Sequence, residues 1–235
     1  DISDRKIGQY LPKGEGAEAF LDMMIRSQAN LSDHPVNRAR KAAGKNPANS
    51  VWFWGEGTKP RLKPFCDLYG KKGGVISAVD LVKGLGILAN MRVIDVPNIT
   101  GNWDTNFQGK ANAAADALLS GLDFVYVHME APDECGHHGD AEKKVYSISQ
   151  VDGVAKTVAD RLSAAGEEFS MLILPDHPTP IAKKTHTGDP VPFMLYRSGK
   201  DGGNGAAVYD EESAKKTGLF LSHGYKLMAK FLQET

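Results

Sequence analysis

The sequence holds only two cysteines, Cys66 and Cys135, in 235 residues, too few for a disulfide framework. Nowhere does an apolar stretch reach the roughly 18 residues that a membrane span needs, and no signal-peptide pattern is present. A soluble, cytoplasmic protein is expected. Neither sign of charge dominates: 28 basic side chains face 29 acidic ones, for a formal net charge of -1. Nucleic acid and membrane are therefore not expected as partners. Internal repeats and low-complexity tracts are lacking too, and the glycine-rich "SGKDGGNGAA" (198–207) reads as a surface loop. The chain begins at Asp1 without a methionine, which suggests a portion of a longer protein.

What is present is an alternation. "VWFWG" (51–55), "GVISAV" (74–79), "MRVIDV" (91–96), "FVYVHM" (124–129), "MLILP" (171–175) and "PFMLY" (192–196) are short apolar runs bounded by Gly, Pro or charge, and they predict strands. Between them lie "FQGKANAAADALLSG", rich in helix formers, and the segment 139–165. There Val145, Ile148, Val151, Ala155, Val158 and Leu162 recur at helical spacing, with Gly166 as the stop. Nearly continuous apolar strands alternating with helices predict an α/β fold, a doubly wound and mostly parallel sheet with helices on both faces. Residues 1–48 differ. Helical patterns at 17–30 and 35–44 carry no strand between them, and "GKNPANS" reads as a linker to the remainder, 49–235.

Chemistry concentrates where two strands end, the usual place for ligands in open α/β sheets. "HMEAPDECGHH" (128–138) follows one strand and brings Asp133 and His137. After "MLILP" come Asp176 and His177, and His186 follows nine residues later. Two carboxylates and three imidazoles on three short loops exceed what one tetrahedral ion takes but suit a pair of metals. Such pairs clamp both ends of an in-line phosphoryl displacement, so phosphoryl transfer is the leading chemistry. A lone histidine is ordinarily a core or surface residue, and the ligand reading rests on the coincidence of these groups with strand ends. His128, inside a strand run, reads as structural, His138 as an outer or solvated neighbour, His34 and His223 as surface or cap residues, and Cys135 as unneeded. "GLGILA" (84–89) fits a dinucleotide-binding glycine pattern, but "VDLVK" separates it from the strand and Asp95 follows too soon for a ribose contact.

"PDECGHHGDAEKKVYSISQVD", "LPDHPTPIAKKTHTGDPVPF" and "VWFWGEGTKPRLKPFCDLYGKKGGVISAVDLVKGLG" resemble the archaeal-type branch of the cofactor-independent phosphoglycerate mutases, in the alkaline phosphatase superfamily. The resemblance runs from His34 over nearly the whole chain. It implies two divalent ions, manganese or zinc, with Asp133, His137 and His186 on one and Asp176 and His177 on the other. Lys83 resembles the family's lysine near the phosphate, and Arg61 a group for the substrate carboxylate. It further implies an alkaline phosphatase-like domain truncated at its N-terminus, with residues 1–48 as the tail of an inserted substrate-binding domain. The implied activity interconverts 3-phosphoglycerate and 2-phosphoglycerate, small phosphorylated metabolites, through a phosphoserine. Homoserine kinase-like transfer or a plain phosphatase is the alternative on the same metal core. The family's serine nucleophile and its N-terminal aspartate have no counterpart here: Ser77 lies in a strand run and Ser222 reads as the cap of the last helix. No catalytic nucleophile is thus expected in these 235 residues, and the chain by itself is expected to be inactive.

Overall fold

A computed structural model describes residues 5–55, 57–200, 203 and 206–233, in two compact units, Asp1–Pro60 and Arg61–Thr235. In the first unit the expected helices form as α1 (Ala17–Leu31) and α2 (Pro35–Ala42). His34 caps α2, its Nδ1 accepting the Val36 N–H at 3.3 Å, and Pro35 starts the helix where its missing N–H costs nothing. The segment after α2 is held rather than free. Buried Asn37 donates to the carbonyls of Leu31 (2.7 Å) and Ala48 (2.8 Å) and accepts the Ala48 N–H at 2.9 Å. Residues 51–55 form no strand, against expectation, because no second strand offers a ladder. Instead the Val51 N–H donates to Ser27 Oγ, Phe53 meets Phe20 edge-on, and Trp54 stands 82% exposed.

The second unit is the α/β body. Its elements run α3 (Phe65–Tyr69), β1 (Gly73–Ile76), α4 (Asp80–Leu88), β2 (Arg92–Val93), α5 (Phe107–Leu119), β3 (Phe124–Val127), α6 (Ala131–His138), α7 (Ala141–Ala164), β4 (Ser170–Ile173), β5 (Met194–Arg197), α8 (Glu211–Lys216) and α9 (Leu227–Gln233). β1 lies between β2 and β3 and is parallel to both, while β4 and β5 pair antiparallel. Alternation along β3 divides the core. Val125 and Val127 pack with Ile76, Ala111, Ala114, Val154 and Val158 under α5 and α7, whereas Phe124 packs with Phe65 of α3 and Phe231 of α9. β4 does the same, Met171 joining the first cluster and Leu172 the second. Helices therefore cover both faces. Among the described residues, no helix is long and apolar enough to cross a membrane.

Two glycines let β1 run through the middle. A Cβ on Gly74 would lie 2.7 Å from Leu122 Cδ1 and 2.9 Å from Ile94 Cδ1, and one on Gly73 would lie 2.9 Å from Phe65 Cδ1. Neighbouring side chains fill the space that β1 leaves.

Several details depart from the sequence expectation. Only Arg92 and Val93 of "MRVIDV" pair as strand, although Ile94 and Val96 are buried. At the start of α7, Val145 (69%) and Ile148 (53%) face solvent, and the inward face there is polar Ser147, 3.8 Å from Cys135 Sγ. "GLGILA" falls inside α4 and just past it, so it forms no glycine turn for a pyrophosphate, and the dinucleotide reading fails. Gly86 is there because a Cβ would meet Val75 Cγ1 at 2.5 Å. Ser222 caps no helix: a 3-10 turn, Gly224–Lys226, precedes α9 with His223 at its start.

Candidate metal centre

The first correction at the site concerns secondary structure, since Asp133 and His137 sit on α6 and not on a loop. The cues are local: Pro132 in the first turn, acids following it, and Gly139 in the left-handed conformation (φ +72) just past the end. The helix makes the pairing of these two candidate ligands automatic. Residues four apart share a helical face, and His137 Nε2 lies 3.3 Å from Asp133 Oδ2.

The segment after β4 brings the remaining groups to that face. His186 Nε2 lies 3.4 Å from Asp133 Oδ1 and 3.0 Å from His137 Nε2, and His177 Nδ1 lies 4.0 Å from Asp133 Oδ1. The rings of His177 and His186 stack with centroids 3.7 Å apart. One ligand atom each from Asp133, His177 and His186 lies within 4.8 Å of the others. Asp176 stands outside this group, its Oδ2 3.4 Å from His177 Nε2 and its side chain 75% exposed. Of the five residues singled out as ligands, four thus converge, with Asp176 at their edge.

Residues outside the predicted set hold the cluster. Thr179, buried, donates its hydroxyl proton to Asp133 Oδ1. Its carbonyl accepts from Lys144 Nζ at 2.7 Å, and the turn lies so close to α6 that a Cβ on Gly136 would come within 2.5 Å of that carbonyl. His137 Nδ1 donates to the Lys184 carbonyl at 3.1 Å, because a carbonyl can only accept. That bond fixes the tautomer and leaves the Nε2 lone pair directed at the cluster, as in metal sites whose histidines are oriented from behind. Lys184 adopts φ +54 and its side chain crowds Gly139. The sequence carries little signal for these roles. The threonine between two prolines in "PDHPTP" is conspicuous, but a left-handed lysine follows no composition rule.

Lone pairs and a carboxylate held this close repel one another unless a cation or protons lie between them, and the donor set of carboxylate oxygen and imidazole nitrogen fits a divalent ion such as zinc or manganese. Other groups stay apart. Lys83 is on α4 with its ammonium 3.9 Å from Asp80, and Arg61 is exposed ahead of α3; neither pairs with the cluster among the described residues. His138 is exposed and Cys135 buried. A cavity of about 390 Å³ is lined by Trp103, Asp140, Glu142, Lys143 and Tyr146. Lys143 fills its polar role, 3.1 Å from Asp140 and 5.1 Å over the Trp103 ring, and no lone pairs converge there.

A buried cation lies beside His128 and Glu130. Lys110 of α5 donates to the His128 carbonyl at 2.9 Å, and burial pulls its pKa down to about 8, partly offset by Glu130. Glu130 is pushed up by burial and by Glu134 and Asp133. His128 is pushed down by burial and by Lys110.

In sequence, the chain is 49% identical over 222 residues to the 2,3-bisphosphoglycerate-independent phosphoglycerate mutase of Methanosarcina barkeri, covering 94% of this chain and 56% of that protein. It is 47% identical over 235 residues to the probable enzyme of that name in Geobacter sulfurreducens, covering 99% and 58%. The chain thus spans little more than half the length of these relatives. Among solved structures it resembles the PH0037 protein from Pyrococcus horikoshii, with a TM-score of 0.69 and 29% identity over 85% of this chain and 52% of the other. It also resembles the cofactor-independent phosphoglycerate mutase of Thermoplasma acidophilum, with a TM-score of 0.54 and 25% identity over 93% and 51%. The Metalloenzyme superfamily profile matches residues 14–232, nearly the whole chain, and to that superfamily the chain belongs.

Proposed function

We propose that the chain supplies the metal-binding portion of a phosphoglycerate mutase, which interconverts 3-phosphoglycerate and 2-phosphoglycerate through a phosphoserine. The observation that carries this reading is the convergence of Asp133, His137, His177 and His186 from the ends of β3 and β4. Two divalent ions, manganese or zinc, are the cofactors: Asp133, His137 and His186 hold one, and Asp176 with His177 contributes to the other. A bound ion supplies Lewis-acid stabilisation of phosphoryl oxygen. The protein's own groups do the rest. Asp133 is oriented by the Thr179 hydroxyl, His137 is fixed in its ligating tautomer by Lys184, and stacking of His177 on His186 limits how far either ring can swing. Attack on phosphorus belongs to no serine identified in this sequence: Ser77 is buried, and its hydroxyl is engaged by Val79 and His128. Lys83 is the candidate for the phosphate, Arg61 for the substrate carboxylate, and residues 1–48 are read as the tail of an inserted substrate-binding domain.

Calorimetric titration of the chain with manganese or zinc tests the metal site. One tight site per chain that weakens at least tenfold in His186→Ala is expected, since ligands and their supports carry such factors. A site indifferent to that change refutes the ligand assignment. The longer protein containing this chain should convert 3-phosphoglycerate; phosphorylation of homoserine instead would reassign the acceptor.

A further inference from the structure

We infer that His128 is a further binding residue of this site, presenting a neutral Nε2–H to a phosphoryl oxygen beside the metal ligands. The inference rests on the phosphoryl-transfer reading above. The Ser77 side chain is fully buried just past the end of β1. Its Oγ accepts the Val79 N–H at 2.9 Å and lies 3.1 Å from His128 Nδ1. The serine proton needs an acceptor, and among the described residues only that nitrogen offers one. Nδ1 is therefore the bare nitrogen, and in the neutral ring the proton must sit on Nε2.

The residue is held through its backbone as well as its ring. The His128 N–H donates to the Ile76 carbonyl at 2.8 Å, its carbonyl receives Lys110 Nζ, and its plane stacks on Tyr126 with an interplanar angle of 14°. Burial and the Lys110 ammonium favour the neutral imidazole and outweigh Asp176 and Asp133, which favour the charged form. Nε2 by contrast pairs with nothing among the described residues, and it is not one of the enclosed unpartnered atoms, so it reaches solvent. His128 closes β3 at its carboxyl end, five residues before Asp133, and the charges of Asp133 and Asp176 both act on it. A neutral histidine ring offers one acceptor and one donor. This one has its Nδ1 side locked and its donor left over at the edge where an anion would be bound.

A donor that stays neutral has a definite use. An imidazolium would bind phosphate more strongly, but it would be a third cation next to two metals. A neutral N–H can hold one phosphoryl oxygen in orientation without competing for the metal ligands.

The test uses the zinc-loaded chain, inorganic phosphate as probe, and nitrogen-15 NMR of the histidine rings. At pH 7, His128 should show protonated Nε2 and bare Nδ1, and Ser77→Ala should release that single tautomer into a mixture. His128→Leu should weaken phosphate at least tenfold with zinc affinity unchanged, the loss expected for a hydrogen bond to a charged group. His128→Gln, which keeps a donor at the same reach, should retain most of the binding. An Nδ1–H tautomer, an imidazolium at pH 7, equal phosphate affinity in the leucine variant, or a zinc-loaded wild type that ignores millimolar phosphate would each overturn the inference while leaving the metal site intact. Failure to bind zinc would instead remove the metal reading and this inference with it.

Discussion

At the scale of single residues, the supports of the proposed metal ligands should matter nearly as much as those ligands themselves. Thr179→Val keeps the shape of a buried side chain but removes the proton donated to Asp133. Metal affinity should fall about 10- to 100-fold by calorimetry with little change in fold, the usual cost of losing an outer partner of a ligand. An unchanged affinity would show that Asp133 needs no orientation. Lys110 makes a separate prediction, about pH. Its ordinary pKa of 10.5 drops to about 8 in the folded chain, so between these values the unfolded chain binds more protons than the folded one. Stability then rises with pH across that window, as the penalty on the buried ammonium is released. Denaturation measured from pH 8 to 10 should show wild type gaining on Lys110→Met, which has no buried ammonium to deprotonate. A parallel pair of curves would mean that the lysine is not perturbed.

At the scale of elements, the contact between α6 and the turn after β4 decides whether the ligands meet. Gly136→Ala would drive a methyl group to 2.5 Å from the Thr179 carbonyl, and backbone cannot yield as a flexible side chain does. Overpacking of this kind costs about 1–3 kcal/mol. The variant should melt lower and bind metal more weakly, whereas an alanine at Gly153, with open space around it, should do neither. That contact is not legible in the sequence, because it depends on which turn a glycine faces across 43 residues of chain. Asp133, His137, His177 and His186 are legible, since each belongs to a polar segment that directly follows an apolar run. The helical state of α6 is harder to see, although Pro132 and Gly139 mark its ends, because so short and polar a segment shows no apolar stripe. β3 and α5 match their patterns. "VWFWG" does not, as its apolar character serves a local contact between Phe53 and Phe20 rather than a ladder. The polar inner face at the start of α7 breaks the periodicity that Val145 and Ile148 suggest, because Ser147 is matched there to Cys135.

At the scale of the whole molecule, the boundary between the two units falls in chain that is exposed and without helix or strand from Gly57 to Lys63. Brief trypsin treatment should cut after Arg61, since Lys59 and Lys63 both precede proline, before it cuts β1 or α5, and metal binding should stay with the larger fragment. Early cleavage inside the body instead would mean that the second unit is not independently ordered. The pair Gly73 and Gly74 has a consequence at this scale. Around the central strand, space is held in common by residues distant in sequence, so size can be traded among them. Gly74→Ala alone should destabilise, since its methyl group meets Leu122 and Ile94 at once. Trimming both neighbours to valine should win back much of that loss, and neither substitution would be tolerated as well without the other. Positions 74, 94 and 122 thus behave as one compound residue, spread over three segments, whose total volume is fixed while its division is not.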